Sequence, residues 1–325
     1  MFEKYGSTKQ FRNVISTITD KTRRVFDEGN PKGRIDQSIP LPVIKFKGTV
    51  KVHGTNTSVT ISSRGVVLTA GRNTVLTPEA DNYGFANWAS SDLVNEALVG
   101  MGLMEEDVIY YGEWVGKGIQ KGVAVSELEK RWIIFAAKAV GGDWLDISSM
   151  VFNNTVGIYN VYQFPTYDVE IDFNEPAIAS VELAKLVEEV ETECPIGKYF
   201  GVSGIGEGIV FSYMIDGMRH TFKVKGAKHS VSKVKTLAPV DVELLNSINE
   251  FVAYAVTVSR LEQAAEEVLK GNFDRKNLGA FIKWVSTDIV KEESDVLEKN
   301  GLAMRDVGGK LSKAAKEWFF EQELV

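Results

Sequence analysis

From residue 44 to residue 52 the chain alternates between apolar and polar positions. Ile44, Phe46, Gly48, Val50 and Val52 are separated by Lys45, Lys47, Thr49 and Lys51. A period of two predicts a half-buried strand with Lys51 on its polar face, near its end. Gly54 breaks that strand, and Val59, Ile61 and Val66-Val67-Leu68 resume β character, so strands are expected over about 42–73. Residues 78–104 predict helix, with Phe85, Trp88, Ala89, Leu93 and Leu98 as an inward stripe. Strands are expected next at 108–115 and 131–136, and a helix at 180–193 turns Glu182, Glu188, Glu189 and Glu193 outward. The glycine-rich stretch Gly201 to Gly208 leads into Ile209-Val210-Phe211, and Thr221 to Lys225 forms another short strand.

The pattern changes at Pro239. Leu245, Ile248, Val252 and Ala255 recur at helical spacing, as do Leu278, Phe281, Ile282, Val285 and Ile289. A last helix is expected from Leu311 to Phe320, after a break at Gly308-Gly309. The prediction is an α+β domain over residues 1–236, with a small all-helical domain after it over 240–325. Residues 1–40 are polar and mixed, with a turn at 29–33. Their basic trio Lys21, Arg23 and Arg24 reads as a solvated face, with polynucleotide contact as the alternative.

Composition narrows the chemistry. With 325 residues, 44% hydrophobic and 25% charged, the chain has the make-up of a globular protein with an ample core. A net charge of -7 gives no global basic signature for nucleic acid, so phosphates would have to be held by local clusters. Cys194 is the single cysteine, which excludes an internal disulfide and a cysteine-based zinc site. With three histidines, a metal site would rest on carboxylates. No apolar run resembles a signal peptide or a membrane span, so a cytoplasmic protein with no membrane partner is expected.

A lysine at the end of a rigid strand, beside a tight turn, is where a covalent lysine nucleophile would sit. The string Lys51-Val52-His53-Gly54-Thr55-Asn56 resembles the K-x-H-G-T-N motif of the RNA ligase 2 family, the nick-sealing RNA ligases of phages and their relatives. These are covalent nucleotidyltransferases, related to DNA ligases and capping enzymes. The order of the motifs downstream of Asn56 strengthens the resemblance. It implies that Lys51 attacks the α-phosphorus of ATP, that His53 lies in the nucleotide site, and that Thr55 and Asn56 contact phosphate and RNA ends.

Arg72, in Thr69-Ala70-Gly71-Arg72-Asn73-Thr74, matches the arginine that contacts nucleotide and 5′-phosphate in that family. Glu113, between Gly112 and Trp114, matches an acid that acts around ribose and metal, and Phe135 the aromatic that stacks on adenine. Glu207-Gly208-Ile209-Val210 resembles the E-G-x-V motif, whose acid works with Mg²⁺. Lys223 and Lys225 match the closing K-x-K pair that reaches the α-phosphate, and alternation puts both on one face. Arg219 to Lys235 holds six Lys or Arg and no acid, a local field expected to offset phosphate charge and help hold Lys51 deprotonated. Three positions depart from close relatives: Val50 and Ala136 where an acid occurs, and Ser212 where a lysine occurs.

DNA ligases and capping enzymes usually continue into a β-barrel, whereas this chain turns helical. Within the helical region the resemblance places Arg260 and Asp288 near the nick, the alternative being an ordinary interhelix ion pair. The expectation is a monomeric, ATP-dependent RNA ligase with a nucleotidyltransferase domain of antiparallel sheets. It would seal 3′-OH/5′-phosphate nicks in double-stranded RNA or an RNA-containing duplex through lysyl-AMP and AppRNA, with Mg²⁺. It would work in the cytoplasm, the host's if the chain is phage-encoded. A DNA or mixed-substrate ligase is the alternative, and a catalytically inactive nucleic-acid-binding relative a further one.

Overall fold

The computed structural model describes residues 2–27, 30–103, 105–215, 217–226, 248–270 and 272–322. The chain forms two compact units, Met1–Lys9 with Pro40–Gly226, and Gln10–Ile39 with Ala227–Val325. The fold is α+β. Among the described residues no helix is long and apolar enough to cross a membrane.

The first unit is built on two sheets. One runs in the order Met218–Lys225, Gly208–Ile215, Val43–Val50, Thr166–Asp172, each neighbour antiparallel. Phe46, Val50, Ile209, Phe211, Phe222 and Val224 are buried on one of its faces, and the helix Pro176–Thr192 packs on the sheet. Period-two alternation leaves Lys47, Thr49, Val210, Lys223 and Lys225 on the other face.

The second sheet runs Ile158–Asn160, Arg131–Ala139, Val108–Val115, Thr55–Ile61, Val67–Gly71. It is antiparallel except for the parallel pairing of Ile158–Asn160 with Arg131–Ala139. Trp114, Trp132 and Ile134 face a core shared with Phe85, Ala89, Val94 and Leu98. Glu113, Ile133 and Asn56 lie in register across the opposite face. The expected stripe over 78–104 is corrected at one position: Leu93 is 73% exposed, and Val94 is buried in its place. The chain breaks into two helices, Phe85–Ala89 and Asp92–Val99, and the interruption resets the helical phase.

The second unit holds the helices Phe11–Arg23, Ile248–Ala255, Val258–Ala264, Leu278–Lys299 and Met304–Gln322, with a hairpin of Arg24–Asp27 and Asn30–Ile35. Phe251, Leu261, Phe281, Val285, Ile289, Leu311 and Phe319 form its core. The expected domain division is corrected here, because residues 10–39 group with the C-terminal helices. Arg12 explains this: its guanidinium pairs with Glu293 at 2.8 Å and Asp295 at 3.0 Å, and donates to the Glu292 carbonyl. The 236/240 boundary, Pro239 and Leu245 lie outside the described residues.

The last helix is longer than expected and runs through Gly308-Gly309. Each glycine costs about 1 kcal/mol in a helix, but the stripe Val307, Leu311, Ala315 and Phe319 is buried on both sides of the pair. The basic trio is partly engaged within the unit. Arg23 donates to the Ile39 carbonyl, Arg24 pairs with Asp20 and donates to the Lys32 carbonyl, and Lys21 is exposed.

Candidate functional site

Lys51 leaves the end of its strand with its backbone N–H bonded to the Gly208 carbonyl at 2.8 Å, which sets it beside Glu207. Its Nζ lies 2.5 Å from Glu207 Oε2. His53 Nδ1 is 3.2 Å from the same oxygen, and Lys225 Nζ is 3.1 Å from Oε1. Glu207 is 3% exposed. Burial alone would raise its pKa, but the charges of Lys51 and Lys225 outweigh that and hold the carboxyl well below its usual range. Residues distant in sequence thus converge on one carboxylate.

Glu113 comes to the same place from the second sheet. Its Oε1 accepts the Gly54 N–H at 3.1 Å. Its pKa is pushed up to about 7, first by burial and then by the Glu207 charge, against the pull of Lys51 and His53. Two glycines permit this closeness. A methyl group on Gly54 would run into the Trp114 carbonyl, and one on Gly208 (φ 145°) into the Val224 carbonyl.

Thr55 accepts a hydrogen bond from Asn82 Nδ2 at 2.9 Å, and Asn56 stands opposite Glu113. Lys223 shares its strand face with Lys225, since Phe222 and Val224 between and beside them are buried. The structure therefore gathers Lys51, His53, Glu113, Glu207 and Lys225, with Asn56 and Lys223 in register on the same faces.

Phe135 is the extra residue of a bulge, because Tyr111 pairs with Ala136 while Gly112 pairs with Ile134. The bulge keeps Phe135 on the face of Ile133 and Glu113. Sequence reasoning missed what covers it. Tyr5 packs edge-on against Phe135 at 5.1 Å, and its hydroxyl accepts from Arg219 at 2.8 Å. Nothing in the pattern of residues 1–40 signals this, since the contact joins residues far apart in sequence.

Arg72 is exposed and donates to Ser7 Oγ at 3.4 Å, so the structure does not bring it to the Lys51–Glu207 pair. The departures also find places. Val50 and Ala136 are buried apolar residues, and Ser212 Oγ donates to the Lys47 carbonyl at 3.5 Å. Lys228, Lys233 and Lys235 of the basic stretch lie outside the described residues.

Arg260 and Asp288 belong to the other unit. Arg260 is 0% exposed, and its guanidinium binds Asp288 at 2.8 Å, Glu293 at 3.2 Å and the Ala255 carbonyl. It has no surface to offer a polynucleotide, so its expected contact at a nick is corrected to an interhelix ion pair with Asp288.

Among the described residues no group of three or more His, Cys, Asp or Glu could enclose a metal. Glu113 and Glu207 still fit Mg²⁺, which is commonly held by one or two carboxylates with waters and substrate phosphates completing its shell. Glu113 is raised first by burial and then by the charge of Glu207, and a divalent cation between the two carboxylates would relieve the second of these.

The site is thus a lysine anchored on a buried carboxylate, with a second carboxylate brought to it from the other sheet. The RNA ligase family model matches residues 44–225, and the chain belongs to that family. Among solved structures it is similar to Naegleria gruberi RNA ligase with pyrophosphate, at 18% identity and a TM-score of 0.44, over 69% of this chain and 56% of that one. A mutant of the same ligase with ATP and Mn also gives 18% identity and 0.44, over 69% of this chain and 55% of that one. The chain thus spans little more than half the length of those ligases. No curated protein matches it.

Proposed function

We propose that this chain is an ATP-dependent RNA ligase that seals 3′-OH/5′-phosphate nicks in double-stranded RNA or an RNA-containing duplex. The observation that carries the reading is Glu207 between Lys51 and Lys225, with Glu113 facing them from the second sheet.

In the first step the Lys51 amine, having lost a proton, attacks the α-phosphorus of ATP. An N–P bond forms, the P–O bond to the β-phosphate breaks, and pyrophosphate leaves. Phe135 offers the adenine an aromatic face, while Lys223 and Lys225 neutralise the α-phosphate. Glu207 orients Lys51 and His53 by accepting from both.

An oxygen of the RNA 5′-phosphate then attacks the same phosphorus, giving AppRNA and returning Lys51. Thr55, Asn56 and Arg72 are the residues for that end. Attack by the 3′-OH forms the phosphodiester and releases AMP. Mg²⁺ held by Glu113 and Glu207 would supply charge neutralisation at the phosphates. RNA is favoured on the 3′-OH side, where a 2′-OH distinguishes it from DNA. The enzyme acts as a cytoplasmic monomer.

The test is intact mass after incubation with ATP and Mg²⁺, for wild type and Lys51→Ala. An AMP-sized increment on wild type alone is expected, and none on folded wild type would overturn the reading. Nicked duplexes with RNA or DNA on the 3′-OH side then fix the substrate.

A further inference from the structure

Arg131 opens the strand Arg131–Ala139 opposite Val115, two residues past the Glu113–Ile133 pair, on the face that carries Ile133 and Phe135. Its guanidinium carbon lies 4.0 Å from the centre of the Phe200 ring and 5.6 Å from that of Tyr159. Nη1 donates to the Tyr159 hydroxyl at 3.1 Å, and Nε is buried without a hydrogen-bond partner. Among the described residues no carboxylate pairs with it.

An arginine carries five N–H donors in a planar fork. Here one meets a phenol and the flat face meets an aromatic ring. The cation–π contact offsets part of the cost of removing the charge from water, but leaves most donors of the fork unused. Flanking rings also lower the local dielectric, so an anion arriving there would be held more strongly than in water.

The position indicates which anion fits. Four residues of strand set Arg131 about 13 Å from Phe135. Glu113 lies between them in register, beside Gly54 of the nucleophile turn. A nucleotide with its base at Phe135 and its α-phosphorus at Lys51 would pass Glu113, and its remaining phosphates would continue towards the Arg131 end. Resting on the ligase reading, the geometry points to Arg131, backed by Phe200 and Tyr159, as a binding site for a phosphate oxyanion beyond the lysine. The source is either the pyrophosphate that leaves ATP or the 5′-phosphate of the RNA end that enters after it.

Binding without ATP tests this. Inorganic pyrophosphate is titrated against wild type, Lys51→Ala, Arg131→Gln and Arg131→Lys by thermal shift. A short nicked RNA duplex with a 5′-phosphate or a 5′-hydroxyl is titrated by fluorescence anisotropy. If pyrophosphate is the source, Arg131→Gln weakens its binding about tenfold or more, the size of one charged hydrogen bond, while Lys51→Ala still responds. If the RNA end is the source, the preference for 5′-phosphate over 5′-hydroxyl falls by that factor instead.

Arg131→Gln that is folded and matches wild type on both probes overturns the proposal. Should Arg131→Gln fail to fold, Arg131→Lys decides, since it keeps the charge and loses the fork: equal affinity on both probes overturns the site. Absence of an AMP adduct on wild type sinks the ligase reading, whereas adenylylated wild type with normal probe binding by Arg131→Gln sinks only this one.

Discussion

Lys51 and Glu207 meet at 2.5 Å across the junction of two strands, and the same carboxylate holds Lys225 through its other oxygen. Glu207 thereby fixes where the amine can point. It stands immediately before the strand Gly208–Ile215 and is 3% exposed, so it cannot relax towards water without dismantling the pairing of that strand with the lysine strand.

Replacing Glu207 with Gln keeps the shape and removes the charge. Adenylylation of Lys51 is expected to slow by about 10²–10³-fold, the usual loss when one preorganised polar group is removed from a site. Single-turnover mass spectrometry would show it. A rate within about threefold of wild type would mean that Glu207 is structural.

Glu113 should make the nucleotide-free protein sensitive to pH. Its carboxyl titrates near about 7 in the folded chain against an ordinary value of 4.5, so between those values the folded state binds more protons than the unfolded one. Stability from this group is therefore present at low pH and lost as pH rises through the window. Glu113→Gln should raise the melting temperature at pH 8 by the equivalent of roughly 1–2 kcal/mol, after discounting for partial exposure. At pH 4.5 or below the gain should vanish. Glu207 runs the other way: its depressed pKa contributes stability above the ordinary carboxylate range, lost as pH falls towards its folded value. Equal melting of wild type and Glu113→Gln at pH 8 would refute the assignment.

Gly54→Ala should slow AMP uptake by about 10²-fold while leaving most of the fold intact. The added methyl meets the Trp114 carbonyl, so the turn must move and take His53 and the Glu113 hydrogen bond with it. A misplacement near about 1 Å costs about 10²-fold. Circular dichroism beside the adduct assay separates this from unfolding.

Arg260→Ala should destabilise the helical unit by about 1–3 kcal/mol, because it takes one of two arginine partners from buried Glu293 and the ion pair from half-buried Asp288. AMP uptake on Lys51 should persist, since the adenylylation residues lie in the other unit. Urea unfolding and the adduct assay check the two halves, and an unchanged midpoint would contradict the first.

The lysine strand was legible because one face is buried and the other is polar, so period two survives in the sequence. The K-x-K pair was legible for the same reason. The apolar run Ile209-Val210-Phe211 carries no such alternation and was legible through the Glu207-Gly208 motif before it. The Phe135 bulge was not, since an extra residue in a strand leaves no mark in an apolar run such as Trp132-Ile133-Ile134-Phe135. Gly308-Gly309 misled because propensity is weaker than a continuous buried stripe. Arg12, Tyr5 and Arg260 take their meaning from partners far away or deep inside, and nothing local in the sequence announces them.

Placing residues 10–39 with the C-terminal helices has a consequence for anyone cutting the chain. A single cut between residues 227 and 247 does not yield two self-contained fragments. The amino-terminal piece would carry Phe11, Val14 and Ile18, buried in the intact chain, and Arg12, without the Glu293 and Asp295 that hold it. The carboxy-terminal piece would lack its first helix. Nicked halves should stay together through washing and separate only in denaturant, and a truncated adenylylation domain should express better with residues 10–39 replaced by a short linker.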